Sequence, residues 1–137
     1  MLNFQWIIFN DVSLRAPEGF LNSNYPNTGK CGPGYGLIEK LVPDSILGLN
    51  ITIICAIHDY CYFITNTEEE KIEADIELFA NGFRLIKNKS RNKFIGFLRA
   101  SILGIYFYNC AYLSSFFHEI GDQNEDTIQH NTDSDSN

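Results

Sequence analysis

The chain has 137 residues, and 45% of them are hydrophobic, which suits one domain with a core of its own. The net charge of −7 is uneven: residues 121–137 hold five acids and no Lys or Arg, leaving 12 acids against 10 bases in residues 1–120. With one Ile and no aromatic, those last 17 residues cannot bury enough to offset their ordering entropy. The reading is a single domain over 1–120 and an acidic, disordered tail over 121–137.

In chain order, residues 1–30 read as irregular, with Asn, Pro, Gly and Ser clusters behind an apolar front of Phe4, Trp6, Ile7, Ile8 and Phe9. No signal peptide is visible, because MLNFQWIIFN lacks a basic start and its apolar stretch is broken by Gln and Asn. Residues 31–36, CGPGYG, form a Gly/Pro loop whose backbone groups can converge on one point. Residues 51–64, ITIICAIHDYCYFI, are ambiguous. The β-branched run at 51–54 favours strand, whereas the length and the N-cap candidate Asn50 favour helix.

Residues 67–87 predict a helix. Thr67 to Glu70 is a capping-box pattern, acids crowd the first turn, and Arg84 and Lys87 mark the basic end. Ile72, Ile76, Phe79, Phe83 and Ile86 recur at helical spacing and read as its core stripe. Asp75 falls within that stripe and is expected near the core, where a carboxylate needs a partner. Six of the ten bases (Arg84, Lys87, Lys89, Arg91, Lys93 and Arg99) follow closely, and no acid lies between Glu77 and Glu119. Such a patch is either a solvated helix end or a surface that meets phosphate. Residues 100–117 carry no charge and read as a buried helix in preference to a membrane span, given Ser101, Gly104, Asn109 and several tyrosines.

The chemistry concentrates in residues 55–62, CAIHDYCY. A zinc site would be expected to use C-x2-C or H-x3-H pairs, which are missing. A cysteine nucleophile would need a thiol aimed at a spatially separate imidazole, and Cys55 and Cys61 are too near His58 in sequence. A hydrolytic reading explains more residues. His58 can act as a general base, and Asp75 can fix its tautomer. Asp59 lies about 100° around a helix from His58, poorly placed for the same nitrogen and free for another task. A hard cation such as calcium takes carboxylate and carbonyl oxygens, which Asp59 and the Gly-rich loop could offer.

CGPGYG, then CAIHDYCY, then an aspartate on the next helix resembles the calcium-dependent phospholipase A2 family, whose signatures are C-G-x-G and C-x-x-H-D-x-C-Y. The compact spacing is similar to that of parvoviral and group XII-like members, since only 16 residues separate His58 from Asp75. The resemblance covers about residues 30–80 and favours helix for 51–64. It implies a mainly α fold: a Gly-rich calcium loop, two antiparallel active-site helices and a further C-terminal helix. It implies hydrolysis of the sn-2 ester of glycerophospholipids, with His58 as base, Asp75 as its support, and Tyr62 bonded to Asp75. It implies Ca2+ held by Asp59 and the carbonyls of Lys30, Gly32 and Gly34, with the Gly32 amide at the oxyanion. A Cys31–Cys55 disulfide is implied as well.

The pattern also departs from the family's. Ile54 and Ala74 stand where cysteines are usual, so Cys61 either pairs with Cys110 or both remain thiols. The connection Tyr35–Asn50 is long. A fold that binds lipid or protein without turnover is therefore the alternative. The expected partner is a phospholipid membrane surface and not nucleic acid, the expected state a monomer, and the expected setting secreted or extracytoplasmic.

Overall fold

The computed structural model describes residues 1–23, 31 and 44–108. The segment containing Lys30, Gly32 and Gly34, the position of Cys110 and the acidic tail lie outside the described residues. Among the described residues the protein is mainly helical, with a small antiparallel sheet.

The front of the chain is an ordered hairpin, not the irregular segment its composition suggested. Strands β1 (Phe4–Phe9) and β2 (Val12–Pro17) pair antiparallel, with Phe9 opposite Val12 and Phe4 opposite Pro17. The two-residue turn is Asn10-Asp11, both at positive φ (46° and 64°). Asn and Asp tolerate that region, and such turns match the twist of the flanking strands. Val12, Leu14 and Ala16 alternate inward with Ser13 and Arg15 between them, so β2 buries one face. A short 3-10 turn, Phe20–Asn22, follows.

The tight ribbon β3 (Ser45–Ile46) and β4 (Leu49–Asn50) leads into helix α1 (Thr52–Ile64). The helix wins over the local strand propensity of its β-branched start. The N-cap is Ile51, which offers no side-chain bond, and not the expected Asn50; one residue earlier, the Asn50 Oδ1 accepts from the Thr52 backbone N–H at 2.9 Å and from the Thr52 hydroxyl at 2.7 Å. Ile53, Ile54 and Ile57 are all buried, a gain that intrinsic propensity does not outweigh.

Helix α2 (Glu68–Lys89) starts after the short link at residues 65–67. Thr67 Oγ1 accepts from the Glu70 N–H at 3.2 Å, and Glu70 Oε2 accepts from the Asn66 N–H at 3.1 Å. This is a capping box shifted by one residue on its return bond. His58 and Tyr62 meet Asp75, while Ile54 lies at Gly82, so α1 and α2 run antiparallel.

The buried face of α2 differs from the expected stripe. Ala74, Glu77, Leu78, Asn81, Gly82, Leu85 and Ile86 face inward, whereas Ile72, Ile76 and Phe83 are exposed. Two apolar stripes exist on this helix. The inward one contains Ala74 and Gly82, whose small size lets neighbours approach closely. Leu103 of a third helix, α3 (residues 93–108), is fully buried and sits where a Gly82 Cβ would be.

Polar groups join the hairpin to α2. Asn81 is fully buried; its Oδ1 accepts from the Arg15 N–H at 2.8 Å and its Nδ2 donates to the Arg15 carbonyl at 2.7 Å. Glu77, also buried, pairs with Arg15 at 3.1 Å and with Arg84. Arg99 is a strut and not part of a surface patch: it donates to the Leu47 carbonyl at 2.8 Å and to Ser90 Oγ at 3.0 Å. A second compact unit begins at Gly104; its described residues, 104–108, are helical. Among the described residues, no helix is long and apolar enough to cross a membrane.

Candidate active site

The site lies between α1 and α2. His58 projects from the middle of α1 and is 20% exposed; Asp75, two turns into α2, is 46% exposed. The aspartate is therefore a half-exposed rim group and not the near-core carboxylate expected from the stripe, because the stripe itself faces outward.

His58 Nε2 lies 2.7 Å from Asp75 Oδ1. An ionised carboxylate only accepts, so Nε2 carries the proton and donates it. In the neutral ring this leaves the Nδ1 lone pair without a hydrogen. Asp59 Oδ1 is 3.8 Å from Nδ1, beyond hydrogen-bond range. The Tyr62 hydroxyl, one turn after His58, donates to the same Asp75 Oδ1 at 2.9 Å. The rings of His58 and Tyr62 lie 4.5 Å apart, centroid to centroid. Tyr62 thus restrains both the carboxylate and one side of the imidazole.

Electrostatics follow from this geometry. Burial alone lowers the His58 pKa, but the carboxylates of Asp59 and Asp75 outweigh it and leave the imidazole above its ordinary 6.5. Burial, and then the hydrogen bond to Asp75, push the Tyr62 phenol up, so it stays a donor.

A disulfide joins Cys31 to Cys55, across 24 residues of sequence. It ties Cys31 to α1 one turn before His58. The Cys31 N–H donates to Asp44 Oδ1 at 2.8 Å, while the Asp44 carbonyl accepts from the Ile51 N–H at 3.0 Å. Asp44 therefore grips both Cys31 and the entry to α1. It carried no motif signal, because its partner lies across a long connection. Cys61 is a buried free thiol, one of the two alternatives read from the sequence; Cys110 lies outside the described residues. It packs at the α1–α2 contact, where burial pushes its pKa up to about 12, with the Glu77 charge adding to the effect.

Of the site residues read from the sequence, His58, Tyr62 and Asp75 are brought together, and Asp59 stands beside them. Lys30, Gly32 and Gly34 lie outside the described residues. Among the described residues no group of three or more His, Cys, Asp or Glu side chains could hold a metal. Asp59 makes no hydrogen bond there either, so its carboxylate oxygens suit a hard cation whose other ligands are carbonyls. Around the site, Tyr62, Phe63, Ile72 and Ile76 are exposed, giving it an apolar rim. Comparison with protein-family models, curated proteins and solved structures finds no match to this chain.

Proposed function

We propose that the chain is a calcium-dependent phospholipase A2, a hydrolase acting on the sn-2 ester of glycerophospholipids. The observation that carries this reading is the His58–Asp75 contact, which leaves Nδ1 as a base aimed away from its own support. Nδ1 would take a proton from a water attacking the ester carbonyl, and the Nε2–H bond to Asp75 would stabilise the imidazolium that forms. The same proton would then pass to the leaving alkoxide, freeing the fatty acid and restoring neutral His58. Tyr62 would hold Asp75 in place through both steps.

Asp59, with the carbonyls of Lys30, Gly32 and Gly34, would hold calcium. When bound, the ion supplies positive charge for the developing oxyanion, to which the Gly32 amide would also donate. The exposed rim of Phe63, Ile72 and Ile76 supports access to acyl chains at a lipid surface. The disulfide supports an oxidising, extracytoplasmic setting.

The test is fatty-acid release from mixed phospholipid vesicles, with calcium and with a chelator, for the wild type and His58→Gln. Calcium-dependent release that the substitution abolishes is the expected result. Calcium binding without release would point instead to a binding module on the same scaffold.

A further inference from the structure

A second surface, remote from His58, has features that the proposed hydrolysis does not use. The outer face of the hairpin presents Trp6 and Ile8, at alternate positions on β1, and they are 63% and 80% exposed. Opposite them on β2 stand Arg15 and Ser13. The Arg84 guanidinium lies over the Trp6 ring at 5.0 Å from its centroid, and Arg15 lies at 5.9 Å from the same centroid. Trp6, Ser13, Arg84, Lys87 and Asn88 line an open cleft of about 540 Å³ between the hairpin and the end of α2.

The charge balance of this cleft is positive. Glu77 offsets one of the two arginines, and Lys87 adds a further exposed cation with no partner among the described residues. Arg84 spends only Nη1 on Glu77 and Asn81, so the rest of its guanidinium can still donate. Lys89, Arg91 and Lys93, all exposed, follow directly. No acid occurs among residues 78–108.

We propose that this surface is a docking site for membranes containing anionic phospholipid, separate from the entrance to the His58 site. Two kinds of exposed group stand side by side. Ile8 and the Trp6 ring would gain from an apolar partner, while Lys87 and the donors of Arg84 not used by Glu77 attract phosphate. A bilayer interface of anionic lipid offers both within a few ångströms, with Trp at head-group level and basic residues above it. A soluble anion would satisfy the cations and leave Ile8 in water. The surface also faces a different way from the candidate active site. Arg84 lies about 180° around α2 from Asp75, whereas Ile72 and Ile76 lie within about 100° of it. Docking through Trp6 therefore leaves the apolar rim of the site uncovered, and needs no turnover.

Trp6 is the single tryptophan of the chain, so its emission reports on this surface alone. The full chain, in chelator, is mixed with vesicles of phosphatidylcholine or of phosphatidylcholine with phosphatidylglycerol. Co-sedimentation and Trp6 emission are read together, with brominated lipid as a depth-dependent quencher. Expected are a blue shift and quenching on anionic vesicles only, reversed by roughly 0.5 M salt. Lys87→Glu should lower the partition on the order of tenfold. Ile8→Asp should remove the quenching while the chain stays folded. Co-sedimentation with unmoved Trp6 emission would place the contact on another face and overturn the proposal, as would no binding, or equal binding to zwitterionic vesicles. A shift produced by inorganic phosphate alone would overturn it in favour of a soluble-anion site. Because no ester is cleaved in chelator, none of these outcomes depends on the catalytic reading.

Discussion

His58 and Asp75 meet at 2.7 Å from separate helices, and the nitrogen they share is Nε2. That choice fixes which side of the ring is free for chemistry. Asp75→Asn would leave the shape but lose the charge that favours the imidazolium. Release of fatty acid is expected to fall by roughly 10²–10⁴-fold in kcat, with substrate affinity little changed. Tyr62→Phe removes one of two donors to the same oxygen and should lower kcat by less than about tenfold, because Asp75 keeps its charge and its bond to His58. Equal losses in both variants, or a loss confined to KM, would argue against these roles.

The raised His58 pKa makes opposite demands on activity and stability. As a base His58 works when neutral, so the rising limb of the rate profile should lie above pH 6.5, the ordinary value. As a charged partner of Asp59 and Asp75 it stabilises the fold when protonated. That contribution is complete below about 6.5 and is lost as pH rises through the higher folded value. The wild type's stability advantage over His58→Gln should therefore shrink with rising pH in this window. An NMR titration placing His58 at or below 6.5 would contradict the expectation. In Asp59→Asn or Asp75→Asn, its pKa should drop.

Opening the Cys31–Cys55 bridge frees a 24-residue separation in the unfolded chain. A Cys31→Ser, Cys55→Ser variant should lose about 3–4 kcal/mol in the chain-entropy description. Thermal unfolding with and without reductant gives the comparison. The same Tm in both conditions would mean that the bridge does not constrain the chain.

Cys61 should behave as a core side chain. With its pKa pushed up to about 12 and almost no exposure, it offers no thiolate near neutral pH. Alkylating reagents should label it only as fast as the protein unfolds. Labelling at the rate of a free thiol under native conditions would show the α1–α2 contact to be open.

Gly82→Ala sets two effects against each other. Alanine is better than glycine in a helix by about 1 kcal/mol. The added Cβ, however, would collide with the end of the Leu103 side chain, which is fully buried and would have to shift to make room. Overpacking of this kind costs about 1–3 kcal/mol, so the net change should be destabilising. Urea unfolding measures it, and a gain in stability would mean that α3 can shift freely against α2.

Much of the site could be read from the chain because its parts are local. His58 and Tyr62 are four residues apart on one helix, and Asp75 lies two turns into the next, so short-range geometry brings them together. The start of α2 was legible for the same reason: a cap needs only its own first turn. The hairpin was missed although signals were present, namely the alternation of Val12, Leu14 and Ala16 just after the turn-forming Asn10-Asp11, because the nearby Pro and Gly clusters dominated the composition. The orientation of α2 was misread for a different reason. A helix with two apolar stripes does not say which is buried; that depends on what Ala74 and Gly82 allow to come near and on the hold that Glu77 and Asn81 take on Arg15. Asp75 was placed near the core as a consequence of that error. Arg99 looked like surface charge because nothing local shows that its partner is the Leu47 carbonyl.

The bond pair between Asn81 and Arg15 has a further effect. At Arg15 the outward N–H and carbonyl of β2 point away from β1, where another strand would bind them. The Asn81 amide takes both, as a neighbouring backbone would. Two residues on, Pro17 has no N–H to offer. One side chain and one imino acid thus impersonate a third strand, so on this side the sheet cannot recruit another chain. The hairpin can then display Trp6 and Ile8 on its outer face without β2 serving as a template for fibril growth.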